Sequence, residues 1–410
     1  MKHPILSGAC AAGVALATSL CASEATAANP QCSATGLTGT PVYLAGSSAA
    51  KPILKQLSAV LAKVANPVRI IYQSVSSCTG LMDITVPQAD PTAGIYWDDN
   101  GNELTCDVAS GGVVPDIGIS DVYASTCDNV TIPVGQANFQ GPVQIMTFVV
   151  PSLSKENTIS AEAARIVYGF GATDSGKVVS PWNTNGLIFQ RPTTSGTRRM
   201  IGKAIGLDVG KWKGTELNGS GDVLTAVQGA SATNPDAAIG ILAADLADTS
   251  RTTVKILAFQ PQDQSCAYYP DSTSQSLDKA NVRSGVYPIW GPVHLVTKVD
   301  IATGQPSDPN VKTVIDYLTM SSTINADAKK NMIDTVVAAH TIPWCAMNVT
   351  RNGEVSVNDQ TTAYSDLEPC GCYYEFKATG AASSSCKTCA ADIDCGGGTN
   401  KCRYGYCEAR

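Results

Sequence analysis

The chain of 410 residues predicts an α/β protein closed by a short cysteine-rich tail. Three observations predict it. Apolar strand-like runs alternate with amphipathic helices through most of the sequence. At least three of those strands end in a Ser/Thr/Gly loop that opens a helix. After Ala378 the composition changes to Gly, Ala, Ser and Cys. The length suits two compact domains with sizeable cores.

Residues 1–27 read as an export signal, with Lys2 and His3 ahead of a small, apolar Gly13–Leu20 and a small-x-small site at Ala25-Thr26-Ala27. That stretch is too short to span a bilayer, and no later segment has the uninterrupted apolar length. A mature chain without a transmembrane segment, periplasmic or secreted, is expected. A lipid anchor is not: Leu20 precedes Cys21 where a small residue belongs, and Cys10 lies too close to the start. Of 15 cysteines, two fall in the signal, leaving 15 − 2 = 13. An exported chain this rich in cysteine is expected to be oxidised, and the odd number implies a free thiol, an intermolecular bridge or a different cleavage point. The net charge of −7 argues against nucleic-acid or anionic-membrane partners.

Val42-Tyr43-Leu44-Ala45 is a short buried strand leading into Gly46-Ser47-Ser48. A helix follows from Ala49, its face marked by Ile53, Leu54, Leu57, Val60, Leu61 and Val64, with Ser48 as its expected N-cap and Pro52 in the first turn. A second strand, Val68–Gln73, runs into Ser74–Gly80. A third, Pro115–Ser120, ends at Asp121. A fourth, Gly186–Gln190, delivers Arg191 and the turn Thr193–Thr197, followed by a helix carrying Met200, Ile201, Ala204 and Ile205. In open α/β sheets ligands bind just beyond the carboxyl ends of strands, so these loops are the expected site. Residues 90–112 read as an inserted hairpin turning at Asp99-Asn100-Gly101; Glu103 stands where a calcium loop of the EF type needs glycine, so a solvated turn is expected. The last strong helices are Pro309–Met320 and Ala326–His340.

These loops resemble those of the periplasmic phosphate-binding proteins of ABC transporters. Tyr43-Leu44-Ala45-Gly46-Ser47-Ser48-Ala49-Ala50-Lys51-Pro52 looks like that family's first anion loop, and Tyr72–Gly80 its second. Asp116-Ile117-Gly118-Ile119-Ser120-Asp121 is similar to its Asp-Phe-Gly-Ala-Ser-Asp signature. Arg191-Pro192-Thr193-Thr194-Ser195-Gly196-Thr197 resembles its Arg-x-Asp-Gly-Ser-Gly-Thr loop, with Pro235–Gly240 and Val286–Ile289 in support. The resemblance implies a two-lobed type 2 periplasmic-binding-protein fold with a small disulfide-rich C-terminal tail. Residues 28–143 and 289–377 would form one lobe, 144–288 the other, and 378–410 the linker and cysteine-rich tail. Gln144–Val150 would cross out of the first lobe and Pro288–Thr297 back. The implied ligand is phosphate or a similar oxyanion, held by Ser48, the backbone around Ala50 and Lys51, Ser77, Asp121, Arg191, Ser195, Gly196 and Thr197. An ABC permease is an implied partner, a monomer the expected state, and no cofactor is expected. Two departures stand out: Ala50 replaces a threonine hydroxyl, and Thr193 replaces the aspartate that braces the arginine.

The residue types suit an oxyanion. Helix N-termini present unpaired N–H groups and the positive end of the macrodipole. Glycine admits close backbone approach, Ser and Thr add hydroxyl donors, and arginine adds a bidentate fork. A carboxylate such as Asp121 tolerates an anion only by accepting a hydrogen bond from it, which hydrogen phosphate offers and sulfate does not. In the plainer reading Ser48, Ser77 and Ser195 are N-caps, Asp121 caps the segment after it, Arg191 is a surface arginine and Lys51 a solvated side chain.

An enzyme is not expected: beyond the signal only His294 and His340 remain, neither in a metal or triad motif, and no Gly-x-Ser-x-Gly elbow appears. The alternatives are a secreted adhesion or structural protein reusing the fold, and a binder of another small anion. In the tail, Cys386-x-x-Cys389 favours bridges over zinc, and Cys78 is expected to bridge to Cys106 or Cys127.

Overall fold

The computed structural model describes residues 29–34, 36, 38–174, 176–357 and 361–409. The predicted export signal, with Cys10 and Cys21, lies outside the described residues.

Strand β1 (Thr40–Gly46) runs parallel to β2 (Val68–Ser74) along its whole length, and its last residues pair with β5 (Ile117–Ser120). Central parallel strands are covered on both faces, which explains the near-continuous apolar run of β2. Helix α1 (Lys51–Leu61) buries Ile53, Leu54, Leu57 and Leu61, the face its spacing predicts, with Pro52 in the first turn where no donor is lost. Helix α2 (Ser77–Thr85) follows β2. The predicted insertion is a hairpin of β3 (Gly94–Trp97) and β4 (Glu103–Cys106), added to the sheet beyond β2. Asp98, rather than Asp99, organises its turn, accepting from the N–H groups of Asn100 and Asn102.

Strand β6 (Gln136–Pro151) is 16 residues long and belongs to both halves of the molecule. Its first part pairs antiparallel with the strand Trp290–Lys298, which in turn pairs with β5. Its last part carries the strands Gly240–Ala243 and Val254–Ile256. Among the described residues these nine strands make one sheet. Two apolar clusters flank it: one holds Leu44, Leu57, Ile117, Leu295 and Val336, the other Phe148, Tyr168, Ile201, Val227 and Phe259. The second half adds α3 (Ala161–Phe170), α4 (Gly196–Ala204), α5 (Ser220–Gly229) and α6 (Ala244–Thr249).

The fourth predicted strand is cut to Phe189–Gln190, paired with Thr215–Glu216. Gly186 takes a left-handed φ of +82°, which ends the extended run before it begins.

Among the described residues six disulfides form: Cys32–Cys106, Cys78–Cys127, Cys345–Cys370, Cys372–Cys386, Cys389–Cys402 and Cys395–Cys407. Cys266 is free and exposed. The tail, expected as a separate piece, is docked. Helix Gly371–Thr379 buries Tyr374 and bonds Tyr373 Oη to Asp334 at 2.8 Å; Cys372 ties it to the tail. The buried Glu408 carboxylate accepts from the N–H groups of Cys372 and Tyr373, at 3.0 and 2.9 Å, capping that helix from the far end of the tail. A module too small for its own core borrows one.

Candidate functional site

The strand-end loops converge where β1, β2 and β5 end against α4 and α5. In the first loop the cap is one residue earlier than expected. Ser47 Oγ accepts from Ala49 N–H and donates to Asp121 Oδ2 at 2.5 Å. Ser48 is therefore free of capping, and its hydroxyl crosses to the second lobe, 3.0 Å from Ser220 Oγ. The second loop repeats this division. Ser76 caps α2 through Thr79 N–H, while Ser77 Oγ donates to Asp121 Oδ2 at 3.2 Å and accepts from Gly196 N–H at 3.1 Å. In each pair the first serine caps the following turn and the second is left free of capping, although Ser47 also bonds Asp121.

Asp121 and Arg191 are almost wholly enclosed, at 1% and 2% exposure. Arg191 donates to Ser220 Oγ (2.6 Å), Asn218 O (2.7 Å) and Ser48 Oγ (3.3 Å). The loop 218–220 thus braces Arg191. Asp121 Oδ1 and Arg191 Nε are among the buried polar atoms that have no hydrogen-bond partner within the described residues. Burial pushes the Asp121 carboxyl up to about 6, opposed by the bonds from Ser47 and Ser77 and by the charge of Arg191. Burial also lowers the Arg191 guanidinium, opposed first by Asp121.

Gly196, the first residue of α4, lies against both partners. A β-carbon there would fall 2.4 Å from Ser77 Oγ and 2.8 Å from Asp121 Oδ2, so only glycine allows this approach. Ser195 and Thr197 are buried beside it, Ser195 at the N-cap position without a side-chain capping bond.

Ala50 and Lys51 are not brought in as donors. The first loop closes as a 3₁₀ turn, in which Ala50 N–H bonds Ser47 O and Lys51 N–H bonds Ser48 O. The Lys51 side chain instead pairs with Glu103 at 2.9 Å, on the partly exposed hairpin. Ala50 itself is packed in the apolar core under α1.

Four residues escaped the sequence reading. Ser47 and Ser220 are described above, and Gln144 Nε2 donates to Ala49 O at 2.6 Å, holding the first loop against β6. Asp245, at the start of α6, is buried and pushed up to about 8 by desolvation, with Asp121 adding repulsion. Asn218-Gly219-Ser220-Gly221, ahead of the apolar residues of α5, carries the same Ser/Gly-before-helix signal as the loops that were read.

No family model matches the sequence, and no curated protein does. Solved structures do. A protein from Clostridium perfringens, assigned as a phosphate ABC transporter substrate-binding protein and solved with bound phosphate, superposes with a TM-score of 0.50 at 15% identity. That match covers 74% of this chain and 99% of the other. An ABC-type phosphate transport receptor from Vibrio cholerae gives 0.46 at 16% identity, over 74% and 100%. A human phosphate-binding apolipoprotein gives 0.45 at 12% identity, over 74% and 90%. The first of these carries the conclusion on fold: the chain has the two-lobed α/β fold of the periplasmic binding proteins, with a disulfide-rich C-terminal region.

Proposed function

We propose that this protein is an extracytoplasmic solute-binding protein that holds an inorganic oxyanion, phosphate before sulfate, between its lobes. The observation that carries the reading is the pair of buried, unpartnered atoms Asp121 Oδ1 and Arg191 Nε. One needs a donor and the other an acceptor. A protonated oxyanion offers both in one small group, and leaving either atom unpaired costs on the order of 1–3 kcal/mol. On this reading Ser48, Ser195 and Thr197 would supply neutral donors, while Ser77 and Gly196 hold Asp121 in place. The neighbour solved with bound phosphate supports the ligand class.

On this reading the protein captures rather than transforms its ligand, and delivery to an ABC permease is its use in uptake or sensing. The disulfides agree with an oxidising compartment. One observation favours the second reading, a secreted scaffold that has lost its ligand: Ser48, Ser220 and Asn218 already satisfy much of Arg191. A thermal-shift screen against phosphate, arsenate, sulfate, molybdate and small carboxylates separates the two. Stabilisation by phosphate and arsenate is expected, amounting to about 2.7 kcal/mol at a hundredfold excess over Kd. A shift with none of the anions supports the scaffold.

A further inference from the structure

The loop after β5, residues 121–128, is held from three directions, and one of the holds crosses between the lobes. From its own side, Cys127 is bridged to Cys78 in the first turn of α2, one residue from Ser77. From the C-terminal region, Glu354 Oε2 accepts from Tyr123 N–H and Thr126 Oγ1, both at 3.3 Å. From the second lobe comes Arg199, in the second turn from the N-terminus of α4. Its Nη1 donates to Thr126 O at 2.5 Å, its Nη2 to Asp128 Oδ2 at 2.6 Å, and its Nε to Thr193 O at 2.7 Å. The guanidinium thus joins the loop that carries Asp121 to the loop that carries Arg191 and to the helix that begins at Gly196.

We infer that Arg199 is a clasp residue that sets how long the closed cleft retains its anion. Three properties fit it to that task. It touches neither Asp121 nor Arg191, so it acts by position. It is buried, and each of its three guanidinium nitrogens donates, to two backbone carbonyls and one carboxylate, in a fixed fork which lysine cannot reproduce. The Cys78–Cys127 bridge anchors its receiving loop to the first turn of α2, next to Ser77, which links the clasp covalently to the site. Contacts made only when two bodies are docked chiefly govern the rate of parting.

The inference rests on the proposed anion site, and its test keeps the two separable. Phosphate release from the full-length oxidised protein is followed by stopped-flow competition, in wild type, R199Q, R199K and D128N. R199Q is expected to raise the dissociation rate at least about tenfold with association changed less than about twofold. R199K should fall between it and wild type. D128N, at an exposed carboxylate, should give a smaller rise and add nothing to R199Q. An unchanged dissociation rate in both R199Q and D128N overturns the clasp, as does a loss confined to association. If wild type binds no oxyanion, the proposed function fails. The clasp is then read by small-angle scattering, where R199Q is expected to be more extended than wild type and an identical profile rejects it.

Discussion

Gly196 N–H donates to Ser77 Oγ at 3.1 Å, across the line between the lobes, with no room for a β-carbon between them. The same hydroxyl donates to Asp121, so one contact couples the start of α4 to the buried carboxylate. G196A should therefore leave each lobe folded while preventing this approach. Overpacking of this kind costs typically about 1–3 kcal/mol. Phosphate affinity should fall roughly ten- to hundredfold with the far-ultraviolet circular dichroism unchanged. Wild-type affinity in G196A would show that the lobes need not meet here.

Asp121 is the residue that should read the protonation of the ligand. In D121N the side-chain amide can donate to an oxyanion that lacks a proton. Phosphate binding should weaken by about 1–3 kcal/mol while sulfate binding strengthens. Competition calorimetry measures both, and parallel loss of the two anions would speak against the assigned role.

The pH dependence follows from the raised carboxyl. With a folded value of about 6 against an ordinary 3.8, the native state holds more protons than the unfolded chain between those limits. Asp121 therefore favours folding at low pH, and its contribution is lost as pH rises through about 6. Binding moves the other way for selectivity. Below about pH 6 a protonated Asp121 can donate, so sulfate affinity should rise from pH 7.5 to 5 and the preference for phosphate should narrow. A preference constant across that range, measured by equilibrium dialysis at fixed ionic strength, would exclude Asp121 as the discriminating group.

Much of this was legible because it is local. The apolar spacing of Ile53, Leu54 and Leu57 and the continuous run of β2 report burial directly. The serine loops were legible as a set, but the division of labour within each pair was not. Either Ser47 or Ser48 can cap a helix, and only the closure of a 3₁₀ turn makes Ser47 the cap. Ser220 was missed although its loop carries the same signal, and Arg199 is indistinguishable in sequence from a solvated helix residue. Its role depends on Thr126 and Asp128, some seventy residues away, which no periodicity encodes. For Cys78 two partners fitted equally, and the structure pairs it with Cys127.

The docking of the tail gives a stability prediction. Glu408 is buried, pushed upward by desolvation, and caps the helix that follows Cys370. E408A strands two N–H donors at a helix start, so unfolding should become easier by roughly 1–3 kcal/mol. Phosphate affinity should not change, since Glu408 bonds to the helix Gly371–Thr379 and not to Asp121 or Arg191. Denaturant melts read the first and calorimetry the second. Unaltered stability would show that the tail merely rests on the domain.

The central claim is that a protonated oxyanion pairs with both Asp121 and Arg191. Titration of the wild-type protein with phosphate and with sulfate at pH 7.5, by calorimetry, tests it most directly. One site per chain and at least about tenfold tighter binding of phosphate are predicted. No heat with either anion, or equal affinity for the two, would contradict it.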